Sequence, residues 1–413
     1  MLKITKIFQT IAIWAAISLS ASIPISTSLD SALSILVLIG ALVSGVCWQQ
    51  REIIKQNSVV TTALLLFLLL IIGCFYDPST IKNAFKILSK YKELILITLL
   101  LPLFLDRKNR RLGWTFFMLA MAITLICSYL IWFGAFEGTR FFTNRLPSNP
   151  VVFKLHITHG ILMAFASYLF AIKAISCKHK WRYIFATMAF LAAFNVLFMV
   201  QGRTGYFVFA GLATYLLAHV FGRKGIAIAI ISLCLVAFAG YFMSSNLKNR
   251  VDLAATEYQL WKPKQGNNET SSIGTRMDYY SNALKIIQKS PVFGVGTGNF
   301  EQAYQQEITG TATAPSNNPH NQFLLFTAQI GIFGLCVFLW LLATQWRLAR
   351  RLASEEEFLL ARGFVITFVV GCLFNSLLLD HSEGLFFGWA SAILFAGLQT
   401  KTIASYKLTK KYS

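Results

Sequence analysis

Charge is what this sequence has least of. Only 13% of its 413 residues are Asp, Glu, Lys or Arg, where an ordinary soluble domain carries about 25%. With 56% apolar residues, a soluble fold of this length could not hide its apolar surface. Acids are scarcer still, 17 against 37 bases, for a net charge of +20. The excess does not point to nucleic acid, because the Lys and Arg stand between apolar blocks instead of sharing one polar face. The cysteines are few and patternless. All but Cys177, which lies in a short basic loop, fall in apolar blocks, and none has CxxC or Cys/His metal spacing. They read as small buried hydrophobes, without a disulfide framework or thiol chemistry. Walker A, GxGxxG and GxSxG patterns are missing, so nucleotide binding and serine hydrolysis have no support. HExxH and an outer-loop DxD-type pair are missing too, so no metal site is expected. Any activated phosphate would then fall to arginines.

What the chain has is apolar blocks of membrane-crossing length, which takes roughly 20 residues. Twelve qualify: 7–24, 31–48, 59–76, 88–105, 113–136, 157–175, 183–200, 204–221, 225–243, 323–343, 363–380 and 385–399. The first could be a signal peptide, but Ala21-Ser22-Ile23-Pro24 is a poor cleavage site and a second block follows at once. The expected fold is therefore an all-α polytopic membrane protein of about twelve spans. Alternate loops sort the charge. One side, running from Lys3 through Arg107, Arg110, Arg223 and Arg347 to Lys411, collects 22 bases and five acids, leaving 15 and 12 for the other. The basic side is expected in the cytoplasm, with both termini.

The chain divides into 1–243, carrying nine spans, a polar outer region 244–322, and 323–413, carrying three spans and a tail. Within the outer region Ser281–Lys289 reads as a helix stopped by Ser290-Pro291, and Gly294, Gly296 and Gly298 as a flexible turn. Outer loops of this length are usually functional or disordered. No repeat at a helical-pair period supports an inverted-repeat transporter.

Polar residues at outer span ends are the informative ones, since charge in a bilayer is costly. Gln201-Gly202-Arg203-Thr204-Gly205 is a tight turn in which glycine freedom would present Arg203 beside a helix N-terminus. That is either an anion site or a snorkelling arginine. Arg276 lies near a helix start, where a cation opposes the dipole, so it calls for an anionic partner or an ion pair with Asp278 or Glu269. Asn317-Asn318-Pro319-His320-Asn321-Gln322 precedes the tenth span and would put His320 in its first turn, as a proton acceptor or simply a cap. The neighbouring Asn321 could bind sugar hydroxyls or serve the turn. Lys82, Lys86 and Lys90 share one helix face. This face either receives an anion in a polar cavity or rests on anionic lipid. His156 and His159, with Lys154, make a comparable patch.

These residues resemble the O-antigen ligase and polymerase superfamily, most nearly the bacterial O-antigen ligases. Gly202-Arg203-Thr204-Gly205 is similar to the family's arginine turn. Ser272-Ile273-Gly274-Thr275-Arg276 with Ser290-Pro291-Val292-Phe293-Gly294-Val295-Gly296 is similar to its G-x-R and glycine-rich loop, and Pro319-His320-Asn321 to its His-Asn motif. The resemblance implies a membrane glycosyltransferase of C type in the bacterial inner membrane, active at the periplasmic face without metal, nucleotide sugar or other cofactor. It implies a glycan donor on undecaprenyl pyrophosphate and, for a ligase, a lipid A–core sugar hydroxyl as acceptor. Arg203 and Arg276 would hold the pyrophosphate, and His320 would be general base for inverting displacement. Lys86, Lys90, His156, His159 and Asn321 would bind substrate. An O-antigen polymerase and a pilin-glycosylating transferase share these motifs. A transporter of lipid-linked glycan is the rival of another class.

Overall fold

The computed structural model describes residues 2–135, 146–243, 252–253, 255–256, 259, 272–311 and 313–398. Glu269, Ser271 and the tail lysines from Lys401 onward lie outside these. Among the described residues no strand forms, as expected when every backbone group must be satisfied within its own segment in hydrocarbon. In chain order the helices are α1 (Leu2–Ser22), α2 (Thr27–Ser44), α3 (Ser58–Gly73), α4 (Ile81–Leu88), α5 (Glu93–Leu100), α6 (Arg107–Trp132), α7 (His156–Ser176) and α8 (Trp181–Phe194). They continue as α9 (Arg203–Phe221), α10 (Arg223–Met243), α11 (Ser272–Lys289), α12 (Phe300–Ile308), α13 (Gln322–Leu348), α14 (Glu355–Phe374) and α15 (His381–Phe395). The apolar runs end where a side chain can replace the missing helical partner. Ser26 accepts from Leu29 N, Asp106 from Lys108 N, and Ser354 from Glu357 N.

Among the described residues, eight helical segments are long and apolar enough to cross a membrane, and Ser58–Gly73 and Glu93–Phe104 are shorter apolar helices. The all-α polytopic expectation is met, and eight of the about twelve expected spans reach full crossing length among the described residues. Helix α5 gives way after eight residues to a 3₁₀ turn containing Pro102, because proline cannot continue the hydrogen-bond ladder. The last helix, α15, is 15 residues long and buried from Ser382 to Phe395. An all-round buried helix is a core element, and its aromatic side chains are the centre of the bundle. Phe386 stacks on Phe117 at 5.4 Å, and Trp389 meets Trp114 at 5.0 Å.

The loops assigned to opposite sides by charge gather at opposite ends of the bundle. At the basic end Arg110 pairs with Glu357 at 3.3 Å, Lys173 with Glu356 at 2.6 Å, and His219 with Glu355 at 2.9 Å. Three acids in the first turn of α14 thus suit its dipole and draw in three other helices.

At the other end, Asp30 on α2 is fully buried, accepts from Ser22 Oγ at 2.5 Å, and pairs with Lys154 Nζ at 3.3 Å. This corrects the Lys154/His156/His159 patch. Lys154 is spent on Asp30, and His159 turns into the bundle, where its Nε2 meets Asn195 Oδ1 at 3.1 Å. Of the three only His156 is exposed. Removing one partner of a buried pair leaves an uncompensated charge. Lys154→Met should therefore cost about 3–5 kcal/mol, and adding Asp30→Asn should restore most of it. Thermal unfolding of the detergent-solubilised protein checks both.

Candidate active site

The site end is built around a break in α13. Ile330 and Gly331 leave helical geometry, Gly331 with φ 65° and ψ −165°. A side chain there would strike Val292 O, 1.9 Å from the Cβ position. The segment after α11 closes the gap. Val295 N donates to Ala328 O and Gly296 N to Gln329 O, both at 2.8 Å, and Ile332 N donates to Pro291 O at 3.0 Å. Thr297 then ties the loop to α3, its N donating to Gly73 O at 3.0 Å and its Oγ1 to Leu70 O at 2.7 Å. The glycine run is therefore not the flexible turn its composition suggested. Positive φ at Gly294, Gly296 and Gly298 serves a fixed loop that satisfies the opened helix. Asn83 on α4 donates to Gly298 O at 2.7 Å, which fixes α4 against the same loop.

Helix α11 is longer than the expected Ser281–Lys289, being already helical at Ser272. Ala283 and Ile286 bury its inner face, which places Arg276, Tyr279 and Tyr280 at the approach to α13. The expectation that His320 lies in the first turn of the tenth span is corrected too. Asn321 is the N-cap of α13, its Oδ1 accepting from Leu324 N at 3.0 Å. His320 stands just before it at φ 53°, a left-handed conformation that costs a non-glycine residue on the order of 1–3 kcal/mol. Neighbouring contacts enforce this backbone. Asn318 Oδ1 accepts from His320 N at 2.9 Å and from Ser376 Oγ at 2.6 Å. The imidazole stacks on Tyr279, centroids 5.6 Å apart.

Arg203 begins α9. Its glycine neighbours do something other than turn the chain. Gly202 has an ordinary φ of −115°, and a Cβ on it would come within 2.8 Å of His156 O. Gly205 likewise lies against Gly160, 3.0 Å from where its Cβ would be. They let α9 press onto α7, and that contact brings Arg203 into range of α11. Thr204 Oγ1 accepts from Asn375 Nδ2 at 2.8 Å, and Asn375 also hydrogen-bonds the His320 side chain. Among the described residues neither Arg203 nor Arg276 forms an ion pair.

The electrostatics join these groups. Burial, and then the Arg276 charge, push the His320 imidazole below its ordinary value, with the Asn375 hydrogen bond opposing. Burial lowers Arg276 as well, with Tyr280 opposing and Arg203 reinforcing. Arg276 therefore interacts with two groups from other parts of the chain, Arg203 and His320, at one end of the bundle. An imidazole kept neutral beside Arg276 can accept a proton, and two guanidiniums can hold a doubly charged anion. The acid limb of a His320-dependent rate should accordingly lie below pH 6.5. Arg276→Gln should move it upward, since the cation that disfavours imidazolium is gone. The pH dependence of His320 carbethoxylation, read by peptide mass spectrometry, reports the same shift without turnover.

The other expected substrate contacts are placed less simply. Asn321 is engaged by the fold, with Nδ2 donating to Leu373 O at 3.0 Å, and so positions His320. Lys86 and Lys90 are exposed, but the helix tightens to a 3₁₀ turn at Ser89–Tyr91, so Lys90 leaves the α-helical stripe. Lys90 lies near Asp380, whose carboxyl burial pushes up to about 6. His156 is exposed, whereas His159 is buried. Sequence reasoning missed Tyr279, Tyr280, Asn375 and Ser376. The last two carried a signal, since they interrupt an apolar block. Among the described residues no group of three or more His, Cys, Asp or Glu could hold a metal ion.

Fold and site together define a multi-pass helical membrane protein with a cationic, histidine-containing site at one end. Residues 187–339 match the family model described as O-antigen ligase, a segment that encloses Arg203, Arg276 and His320. That match supports the O-antigen ligase/polymerase superfamily. An uncharacterized protein of Haemophilus influenzae is 22% identical over 208 residues, covering 48% of this chain. The aligned chain spans about half of that relative, 51% of its length. A solved chain from a study of a peptidoglycan synthase complex that coordinates polymerization and crosslinking has 14% identity and a TM-score of 0.45. That alignment covers 81% of this chain and 95% of the other.

Proposed function

We propose that the protein is an O-antigen ligase of the bacterial inner membrane. It moves a glycan from undecaprenyl pyrophosphate to a sugar hydroxyl of lipid A–core at the periplasmic end. The convergence of Arg203, Arg276 and His320 inside the family-matched segment carries this reading. The arginines bind the pyrophosphate and stabilise the charge that grows on it as the glycosidic bond breaks. His320 takes the acceptor hydroxyl proton while that oxygen attacks the anomeric carbon, which inverts. No metal has a role in this scheme, because two guanidiniums supply the countercharge. The basic end faces the cytoplasm and sets the site outward.

The test is transfer by the purified protein from lipid-linked glycan to lipid A–core, with and without chelator. Product that is unaffected by chelator is expected, and loss of activity in chelator overturns the metal-free scheme. Elongation of donor glycan in place of transfer to lipid A–core would make the protein a polymerase. Transfer to a pilin would make it a protein-glycosylating member. Movement of donor across vesicles without transfer would make it a transporter.

A further inference from the structure

The three motif residues share a neighbour that none of the motifs contains. Helix α14 ends at Phe374, and Asn375 continues in extended backbone at φ −152° and ψ 157°. Side chains in extended backbone alternate in direction, and the next two reach different partners. Asn375 Nδ2 donates to Thr204 Oγ1 at 2.8 Å, beside Arg203. Ser376 Oγ donates to Asn318 Oδ1 at 2.6 Å, the same oxygen that accepts from His320 N. Leu373 O accepts from Tyr280 Oη at 3.1 Å and from Asn321 Nδ2 at 3.0 Å. Residues 373–376 thus hold Thr204 next to Arg203, Tyr280 about one helical turn beyond Arg276, and the asparagines on either side of His320. The segment lies beyond the family-matched residues 187–339.

Asn375, Ser376 and Thr204 are all buried, so each polar atom needs a partner. Asn375 Nδ2 is committed to Thr204, which leaves Oδ1 for the His320 ring. The contact between Asn375 and that ring favours imidazolium, as an oxygen accepting from a ring N–H does. A neutral imidazole has one N–H and one acceptor nitrogen. Its proton therefore sits on the nitrogen that faces Asn375, and the other nitrogen keeps its lone pair. No other group on the ring contests this. From α11, Tyr279 stacks with its ring face and Arg276 acts by charge, and a guanidinium is no acceptor. The oxygens of Asn318 and Asn321 are engaged with backbone N–H groups.

We infer that Asn375 is a positioning residue for His320, holding the imidazole in the tautomer whose free nitrogen is left for the acceptor hydroxyl and tying that ring to the Arg203 turn through Thr204. This rests on the transfer reading above. Asn375→Leu keeps the volume dry and removes the acceptor, whereas Asn375→Asp keeps the shape and makes the acceptor anionic. In the leucine variant kcat should fall about 10–100-fold, as when the partner that orients a working histidine is lost, with KM for donor little changed. The pH midpoint of His320 carbethoxylation should move down, because a contact that favours imidazolium is gone. In the aspartate variant the midpoint should move up by about one unit or more, and turnover should recover above the new midpoint. A residue that only supports the fold would move both midpoints the same way or neither. Such a result, or full turnover in the leucine variant, overturns the inference. If leucine prevents insertion, an unmoved midpoint in the near-isosteric aspartate variant is enough to reject it. Opposite shifts in a protein that transfers no glycan would sustain the placement of Asn375 and defeat the transferase reading instead.

Discussion

Turnover of glycan transfer is expected to fall by about 10²–10⁴-fold when His320 is replaced by alanine, the usual range for loss of a general base. Three observations set this expectation. The imidazole is half-buried against Tyr279 and held neutral by burial and Arg276, so it stands as a base at neutral pH. Its backbone is fixed at φ 53° through Asn318, an arrangement a simple helix cap has no need of. Asn321, the next residue, already performs the capping. Because alanine also disfavours positive φ, His320→Asn is the control, asparagine tolerating that conformation. Both variants should insert and purify normally, and both should be inactive. Product formation surviving in either removes His320 from the chemistry.

The second large effect belongs to the arginines. Arg203→Ala and Arg276→Ala should each lower kcat by about 10²–10³-fold, as expected when a donor to a developing anion is lost. Lysine should restore little at either position, since it cannot offer two parallel hydrogen bonds to phosphate. The site's electrostatics argue that both are functional. Burial, and then Arg203, disfavour the charge on Arg276, and no ion pair among the described residues relieves either arginine. An anion between them would relieve like charges brought together in a partly buried place, which is the role proposed for the pair. If instead either alanine variant is more stable to heat in detergent and equally active, the pair is not an anion site.

How much of this was legible beforehand depends on what each feature needs. Helix-forming blocks, the separation of basic and less basic loops, and the three motif positions are properties of residue type and spacing. Arg203, Arg276 and His320 stand out from their sequence neighbours alone. The roles of those neighbours were not. Gly202 and Gly205 read as turn residues, but they are contact residues, because what forbids a side chain there is His156 and Gly160 on another helix. Lys154 and His159 read as a surface patch, although their partners Asp30 and Asn195 lie 124 and 36 residues away. The glycine run read as mobile because its hydrogen-bond partners, the carbonyls freed at the α13 break, exist only once that helix is placed.

By itself, then, the sequence determined that this chain lives in a membrane, as a bundle of helices, with a few cations on the side where topology did not require them. Solvent decides that much, since a run of apolar residues is sorted by water and hydrocarbon wherever it occurs. Tertiary structure alone decided which cations act together. Arg203, Arg276 and His320 are spread over 118 positions of the chain, and their meeting depends on close helix contacts and a broken helix closed by a distant loop. Charge interactions act through space and fall away with distance, so only the fold could say that Arg276 feels both Arg203 and His320 while Lys154 pairs with Asp30.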